Sequence, residues 1–230
     1  MASLVIFDFD GTLFDTHESI SQTIKLTFDT LLPAHTPPQD EIHRLIASGS
    51  GLTETFKTLH PSPAEFTPTI ESEWIGKYRS LYATHGQPLI KAFPGAKELL
   101  TKINSLGIPI SIISNKGVEA VKTALKRNNL DGLVPEDLII GDNTPGAKRK
   151  PDPSSFTNVL APALEKAGTQ IVASQVLVVG DTIADIEFAR NIGSKVCWCR
   201  YGYGDREACQ ALGPDFVIDA LENVAGHLSN

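Results

Sequence analysis

Cysteine is scarce in this chain: Cys197, Cys199 and Cys209 are the only three among 230 residues. Three thiols cannot build a disulfide framework. Cys197 and Cys199 lie one residue apart in an apolar run, with no neighbouring His or Cys to complete a zinc set. They read as small core residues and point to a reducing compartment. Positive charge is also in short supply. Lys and Arg number 20 against 27 Asp and Glu, for a formal charge of −7. That excludes a basic footprint for nucleic acid, and the dense run Lys148-Arg149-Lys150 is too short to make one. No apolar stretch approaches the roughly 18 residues of a membrane span. The start, Met1-Ala2-Ser3-Leu4-Val5-Ile6-Phe7-Asp8, has no basic leader before its apolar run, which argues against a signal peptide. Internal repeats and low-complexity tracts are absent as well. The expectation is a soluble, cytoplasmic, acidic protein with no nucleic-acid and no membrane partner. The sequence carries no signal for an oligomeric state.

What is present is a chain with 41% hydrophobic and 20% charged residues, long enough to bury a sizeable core. Short runs rich in Val and Ile recur at Leu4–Phe9, Ile108–Ser114, Leu138–Ile140, Val176–Val179, Val196–Cys199 and Phe216–Ile218. Several are apolar at consecutive positions, the mark of strands covered on both faces of a parallel sheet. Helical spacing fills the gaps. Pro94–Leu106 stops at Gly107, Val118–Arg127 carries Val118, Val121 and Leu125, and Thr182 is placed to cap Ile183–Ile192. Strand and helix alternate from about residue 92 onward, so the class is α/β. Pro162 falls inside the pattern Phe156–Ala167 and should kink or split that helix.

The stretch from Asp15 to Lys91 differs. It shows helical patterns and no strand-like run, broken by proline-containing segments at Leu32–Pro38 and His60–Pro68. A helical block inserted after the first strand reads as a second, smaller domain. The expected division is residues 1–14 with 92–230 as the α/β core and 15–91 as the insert.

Four motifs carry chemistry. Asp8-Phe9-Asp10-Gly11-Thr12 follows the first apolar run, so Asp8 falls at the carboxyl end of a buried strand, where open α/β sheets bind ligands. If the strand continues, Asp8 and Asp10 share a side, and two close carboxylates call for a cation between them. Mg²⁺ is the usual partner of a few carboxylates plus phosphate. Gly11 allows a turn and a close backbone approach. An acidic turn leaving a strand is the plainer reading of the same residues. Gly180-Asp181-Thr182-Ile183-Ala184-Asp185 repeats the pattern. There Asp185 would also serve simply as a carboxylate in the first turn of a helix. Ser114-Asn115-Lys116 ends another strand and suits either phosphate binding or helix capping. Lys150 precedes Pro151, which favours an extended backbone at the lysine and makes it a fixed positive charge for an anionic site.

The order Asp8-x-Asp10-Gly11-Thr12, Ser114-Asn115-Lys116, Lys150-Pro151, Gly180-Asp181-Thr182-x-x-Asp185 resembles the haloacid dehalogenase superfamily. Tyr201-Gly202-Tyr203-Gly204 and Asp10-Gly11-Thr12-Leu13-Phe14-Asp15 look closest to its phosphoglycolate phosphatase-like branch. The resemblance implies a Rossmann-like parallel sheet core with an inserted all-helical (C1-type) cap domain. It implies Asp8 as nucleophile and Asp10 as general acid and base. Mg²⁺ would be held by Asp8, the backbone carbonyl of Asp10, Asp181, and Asp185 as ligand or support. Ser114 and Lys150 would hold phosphoryl oxygens. Gly11, Thr12 and Asn115 would line the substrate, with His17, Gly49 and Gly51 as cap candidates. A lone histidine beside a hinge is as readily incidental, and Gly49-Ser50-Gly51 is as readily a plain turn between helices. Asp10 separates the branches, because halide leaves without a proton and an alkoxide does not. The implied activity is a Mg²⁺-dependent phosphatase of a small-molecule phosphorylated substrate, phosphoglycolate first. The alternatives are a nucleotide or sugar-phosphate phosphatase, a pyrophosphatase, a β-phosphoglucomutase-like mutase, or a non-catalytic binding protein on the same fold.

Overall fold

The apolar runs become strands buried at every position, as Leu4–Phe7, Ile110–Ile113 and Val176–Gly180 show. The computed structural model describes residues 2–229. Its elements in chain order are β1 (Leu4–Phe7), β2 (Phe14–Asp15), α1 (His17–Leu31), α2 (Gln39–Ala47), α3 (Leu52–Leu59) and α4 (Pro68–Leu81). Then come β3 (Lys91–Ala92), α5 (Ala96–Ser105), β4 (Ile110–Ile113), α6 (Val118–Arg127), β5 (Ile139–Ile140) and α7 (Ala161–Lys166). The last are β6 (Val176–Gly180), α8 (Ile183–Asn191), β7 (Lys195–Cys199), α9 (Arg206–Ala211) and β8 (Phe216–Ile218). Six strands form one sheet in the order β5-β4-β1-β6-β7-β8, and every neighbouring pair is parallel. The chain builds to one side of β1 through β4 and β5, then returns and builds to the other side from β6. The order therefore reverses between β1 and β6, the place where ligands bind in open sheets of this kind.

Alternate residues of each strand serve opposite faces. Leu4, Ile6, Val176, Val178, Val196 and Trp198 join Ile186, Phe188 and Ala189 of α8, and Ile192 just after it, in one core cluster. Val5, Phe7, Leu177 and Val179, the intervening residues, are also buried. Each such side chain contributes about 1.5–3 kcal/mol of transfer free energy. Cys197, Cys199 and Cys209 are buried free thiols. No helix among the described residues is long and apolar enough to cross a membrane.

The chain divides into two compact units, Met1–Asp15 with Lys91–Asn230, and Thr16–Ile90. The second is helical and has its own core. Phe28 is fully buried, with its ring 4.6 Å from Trp74 and 6.1 Å from Phe56. Where the chain passes between the units, Phe14 and Asp15 pair antiparallel with Ala92 and Lys91. This pairing was not visible as a strand run, because two residues are too few to show a period. Pro162 acts as expected. A π-helical turn at Ser155–Leu160 precedes α7, and the proline sits in the first turn of α7, where a missing N–H costs little. The strand expected over Ile108–Ser114 begins only at Ile110, after Pro109, and Ile171 packs the connection before β6 against the core.

Phe28→Ala should cost about 3–5 kcal/mol of helical-unit stability. Denaturation followed by the fluorescence of Trp74, with Trp198 reporting on the sheet unit, checks this. The loss should be confined to the Trp74 transition.

Candidate active site

Four loops at the carboxyl ends of β1, β4 and β6 and at the start of the segment after β5 carry the titratable groups. Asp8 follows β1, and its backbone N–H still donates to Val179 of β6 at 2.8 Å. Lys150 reaches it from far along the chain. Its Nζ donates to Asp8 Oδ1 at 2.6 Å and to Asp185 Oδ1 at 2.6 Å. All three side chains are buried. Asp8 Oδ2 has no hydrogen-bond partner among the described residues. Burial pushes the Asp8 carboxyl up to about 7, with Asp185 and Asp10 adding to the rise and Lys150 opposing it. Burial by itself would lower the Lys150 ammonium, but Asp185 and Asp8 more than offset it and the net shift is upward.

Asp181 is held by a cage. Thr12 Oγ1 donates to its Oδ1 at 3.0 Å, and the Tyr203 N–H donates to its Oδ2 at 2.7 Å. Burial, then Asp185 and Asp8, raise its carboxyl well above the usual range despite these donors. Gly11 turns at φ +79°, and a Cβ there would fall inside the envelope of the Asp181 carboxylate. A Cβ at Gly202 would meet the same side chain. Both positions need glycine for close approach. Asp185 serves as the first-turn carboxylate of α8 and also meets Lys150. Its Oδ2 accepts from the Asp181 N–H, the Thr182 N–H and Thr182 Oγ1 at 3.1, 2.9 and 2.7 Å, starting α8, while its Oδ1 takes Lys150.

Asp8, Asp181 and Asp185 each offer a carboxylate oxygen within 4.8 Å of the others. Three buried carboxylates with two raised titrations and a single ammonium between them form a donor set suited to a hard cation. Asp10 is not part of that cluster. The strand ends at Phe7 and the chain turns, so the side chain of Asp10 points instead to Lys116, whose Nζ donates to it at 2.9 and 3.3 Å.

The other expected site residues have the following places and partners. Asn115 spends its amide on the backbone of Lys150: it accepts from the Lys150 N–H at 2.8 Å and donates to the Lys150 carbonyl at 3.3 Å. Thr12 serves Asp181. Ser114 Oγ accepts from the Lys116 N–H at 3.2 Å. His17 opens α1 in the helical unit, with its ring edge-on to His43 at 4.7 Å. Gly49 and Gly51 lie in the turn between α2 and α3. Sequence reasoning missed Lys116 and Tyr203 as site residues and Trp198 as a support, whose Nε1 donates to the Asp181 carbonyl at 3.0 Å. The signal for Tyr203 was available in its flanking glycines, which allow the loop to close on Asp181.

The pattern of the haloacid dehalogenase-like hydrolases matches residues 5–199, and the chain belongs to that family. Among curated proteins it is 28% identical over 223 residues to the pyrophosphatase PpaX of Halalkalibacterium halodurans, covering 96% of this chain and 94% of that one. A PpaX of Bacillus cereus is 27% identical over 227 residues, covering 98% and 96%. Among solved structures, a haloacid dehalogenase-like family hydrolase from Streptococcus pneumoniae superimposes with a TM-score of 0.80 at 24% identity, covering 98% of each chain. A "predicted phosphoglycolate phosphatase" from Haemophilus somnus 129pt gives 0.81 at 23%, covering 98% of this chain and 97% of that one. These two establish the fold.

Divalent cation should stabilise the folded state by mass action. A divalent cation held by these carboxylates, at ~100 times its dissociation constant, would raise Tm by roughly 5–10 °C, and Mg²⁺ is the ion to try first. Asp8→Asn removes one of the crowded charges, so its metal-free Tm should equal or exceed that of the wild type while its response to Mg²⁺ shrinks. Thermal scans with Mg²⁺ and with chelator measure both.

Proposed function

We propose that this chain is a Mg²⁺-dependent phosphatase that hydrolyses small phosphorylated metabolites through an aspartyl-phosphate on Asp8. The observation that carries this reading is the Asp8 carboxylate at the β1–β6 switch point, with one oxygen held by Lys150 at 2.6 Å and, among the described residues, no hydrogen bond on the other. On this reading Asp8 Oδ2 attacks phosphorus, the bond from phosphorus to the leaving oxygen breaks, and Asp10 gives that oxygen a proton. Asp10 then takes a proton from water as the water attacks the aspartyl-phosphate. The bond to Asp8 breaks, and inorganic phosphate leaves with the carboxylate restored.

Asp8, Asp181 and the backbone carbonyl of Asp10 would hold Mg²⁺, with Asp185 supporting them. The ion supplies charge neutralisation, without which an anionic nucleophile is repelled by an anionic substrate. Lys150 contributes in the same sense and orients Asp8. Ser114 and the N–H groups around Gly11 are proposed for the phosphoryl oxygens. Asn115 and Thr12 act behind them, one fixing Lys150 and the other Asp181. The helical unit is proposed as the cap that selects substrate, with His17, Gly49 and Gly51 as candidates for that task.

Phosphoglycolate is the first substrate proposed, as a phosphoric monoester. The PpaX relatives, which match nearly the whole chain, favour pyrophosphate as the second reading.

Inorganic phosphate release from phosphoglycolate, pyrophosphate, sugar phosphates and nucleoside monophosphates tests the proposal. Release should require Mg²⁺. It should fall by more than about 10³-fold in Asp8→Asn and by about 10²–10⁴-fold in Asp10→Asn. Full release in chelator, or in Asp8→Asn, would overturn the assignment.

A further inference from the structure

Lys150 shares this edge of the sheet with a second ammonium group. Lys116 Nζ donates to both oxygens of Asp10, and its side chain is 11% exposed against 25% for Asp10. Its backbone is fixed on two sides. The N–H donates to Ser114 Oγ at 3.2 Å, and the carbonyl accepts from the Asp142 N–H at 3.0 Å. The Phe9 ring centroid lies 5.9 Å from Nζ. The ammonium is therefore held at Asp10 by its anchors at both ends.

The two lysines serve different carboxylates. Lys150 is sealed between Asp8 and Asp185. Lys116 meets the carboxylate outside the metal-competent cluster. Four carboxylates against two ammonium groups leave two negative charges, which one divalent cation neutralises.

We infer that Lys116 sets the substrate class: phosphate esters and anhydrides whose leaving group bears an anion one or two atoms from the bridging oxygen. The inference rests on the proposed function, in which Asp10 serves that bridging oxygen. A proton donor must stand within hydrogen-bond reach of the oxygen it protonates. Lys116 Nζ is one hydrogen bond from the same carboxylate, so an anion attached beside the bridging oxygen comes within its reach. An ammonium has three hydrogens and can serve two anions, as Lys150 does here. Phosphoglycolate, with its carboxylate, and pyrophosphate, with its second phosphoryl group, both belong to this class. Glycerol and sugar monophosphates, with neutral leaving groups, do not.

The test compares phosphoglycolate with its uncharged amide, phosphoglycolamide, in the presence of Mg²⁺. Wild type should favour the carboxylate by about 10- to 100-fold in kcat/KM, the range of one charge-assisted hydrogen bond. Lys116→Met should bring the ratio to within about threefold of unity, mainly through KM, and Lys116→Arg should keep most of the preference. Loss of support for Asp10 slows both compounds alike and cancels in the ratio. Equilibrium binding of both compounds to Asp8→Asn, with and without Lys116→Met, reads the same preference without turnover. A ratio near unity in wild type, or one unchanged in Lys116→Met, overturns the inference while hydrolysis itself leaves the proposed function standing. A Lys116-dependent binding preference with no hydrolysis of any phosphate compound would instead overturn the proposed function and leave the preference in place.

Discussion

One buried ammonium holds this site together. Lys150 Nζ stands 2.6 Å from Asp8 and 2.6 Å from Asp185, residues 142 and 35 positions away in the chain. Carboxylates brought this close out of water repel one another and lose hydration. Removing the Lys150 ammonium would cost about 3–5 kcal/mol, because the buried carboxylates would be left uncompensated, whereas losing Asp8 leaves Lys150 paired with Asp185. The rest of the local structure answers to that constraint. Asn115 fixes the backbone of Lys150 by accepting from its N–H and donating to its carbonyl. Asp185 is held by three donors on its other oxygen, so the lysine meets a carboxylate that does not turn.

The same logic extends to Asp181. Its donors come from a threonine after β1 and a backbone N–H after β7, and Gly11 and Gly202 let the chain close around it. These donors orient the Asp181 oxygens before any cation arrives, which is the form electrostatic preorganisation takes. Lys116 applies the principle at the edge of the site, where Asp10 is more exposed than Asp8. The arrangement grades from a sealed floor to an accessible rim. The floor holds the groups proposed to bond to phosphorus, and the rim holds the groups proposed to handle the leaving group.

Much of the sheet was legible because both of its faces are covered, which writes strands as unbroken apolar runs. Val176–Gly180 stands where such a run stands, and the edge strand Phe216–Ile218 also lies at its apolar run although Val217 is exposed. The two-residue pair β2–β3 was not legible, since it has no period of its own. Within the site, positions at strand ends could be read, but hydrogen-bond partners could not. The family resemblance implied Thr12 and Asn115 as substrate contacts. Their partners, Asp181 and the backbone of Lys150, lie 169 and 35 residues away and become neighbours only through the strand order. Asp10 was expected on the same side as Asp8 if the strand continued. The strand stops at Phe7, and the turn at Gly11 sends Asp10 to Lys116 instead.

The central claim is that Asp8 becomes covalently phosphorylated during turnover. Rapid mixing with phosphoglycolate or pyrophosphate and Mg²⁺, quenching into borohydride and peptide mass spectrometry test it directly. Borohydride reduces an acyl phosphate to an alcohol, so the account predicts homoserine at position 8 in the substrate-treated protein and aspartate there in the untreated control. Aspartate at position 8 in protein trapped while releasing inorganic phosphate would contradict the account.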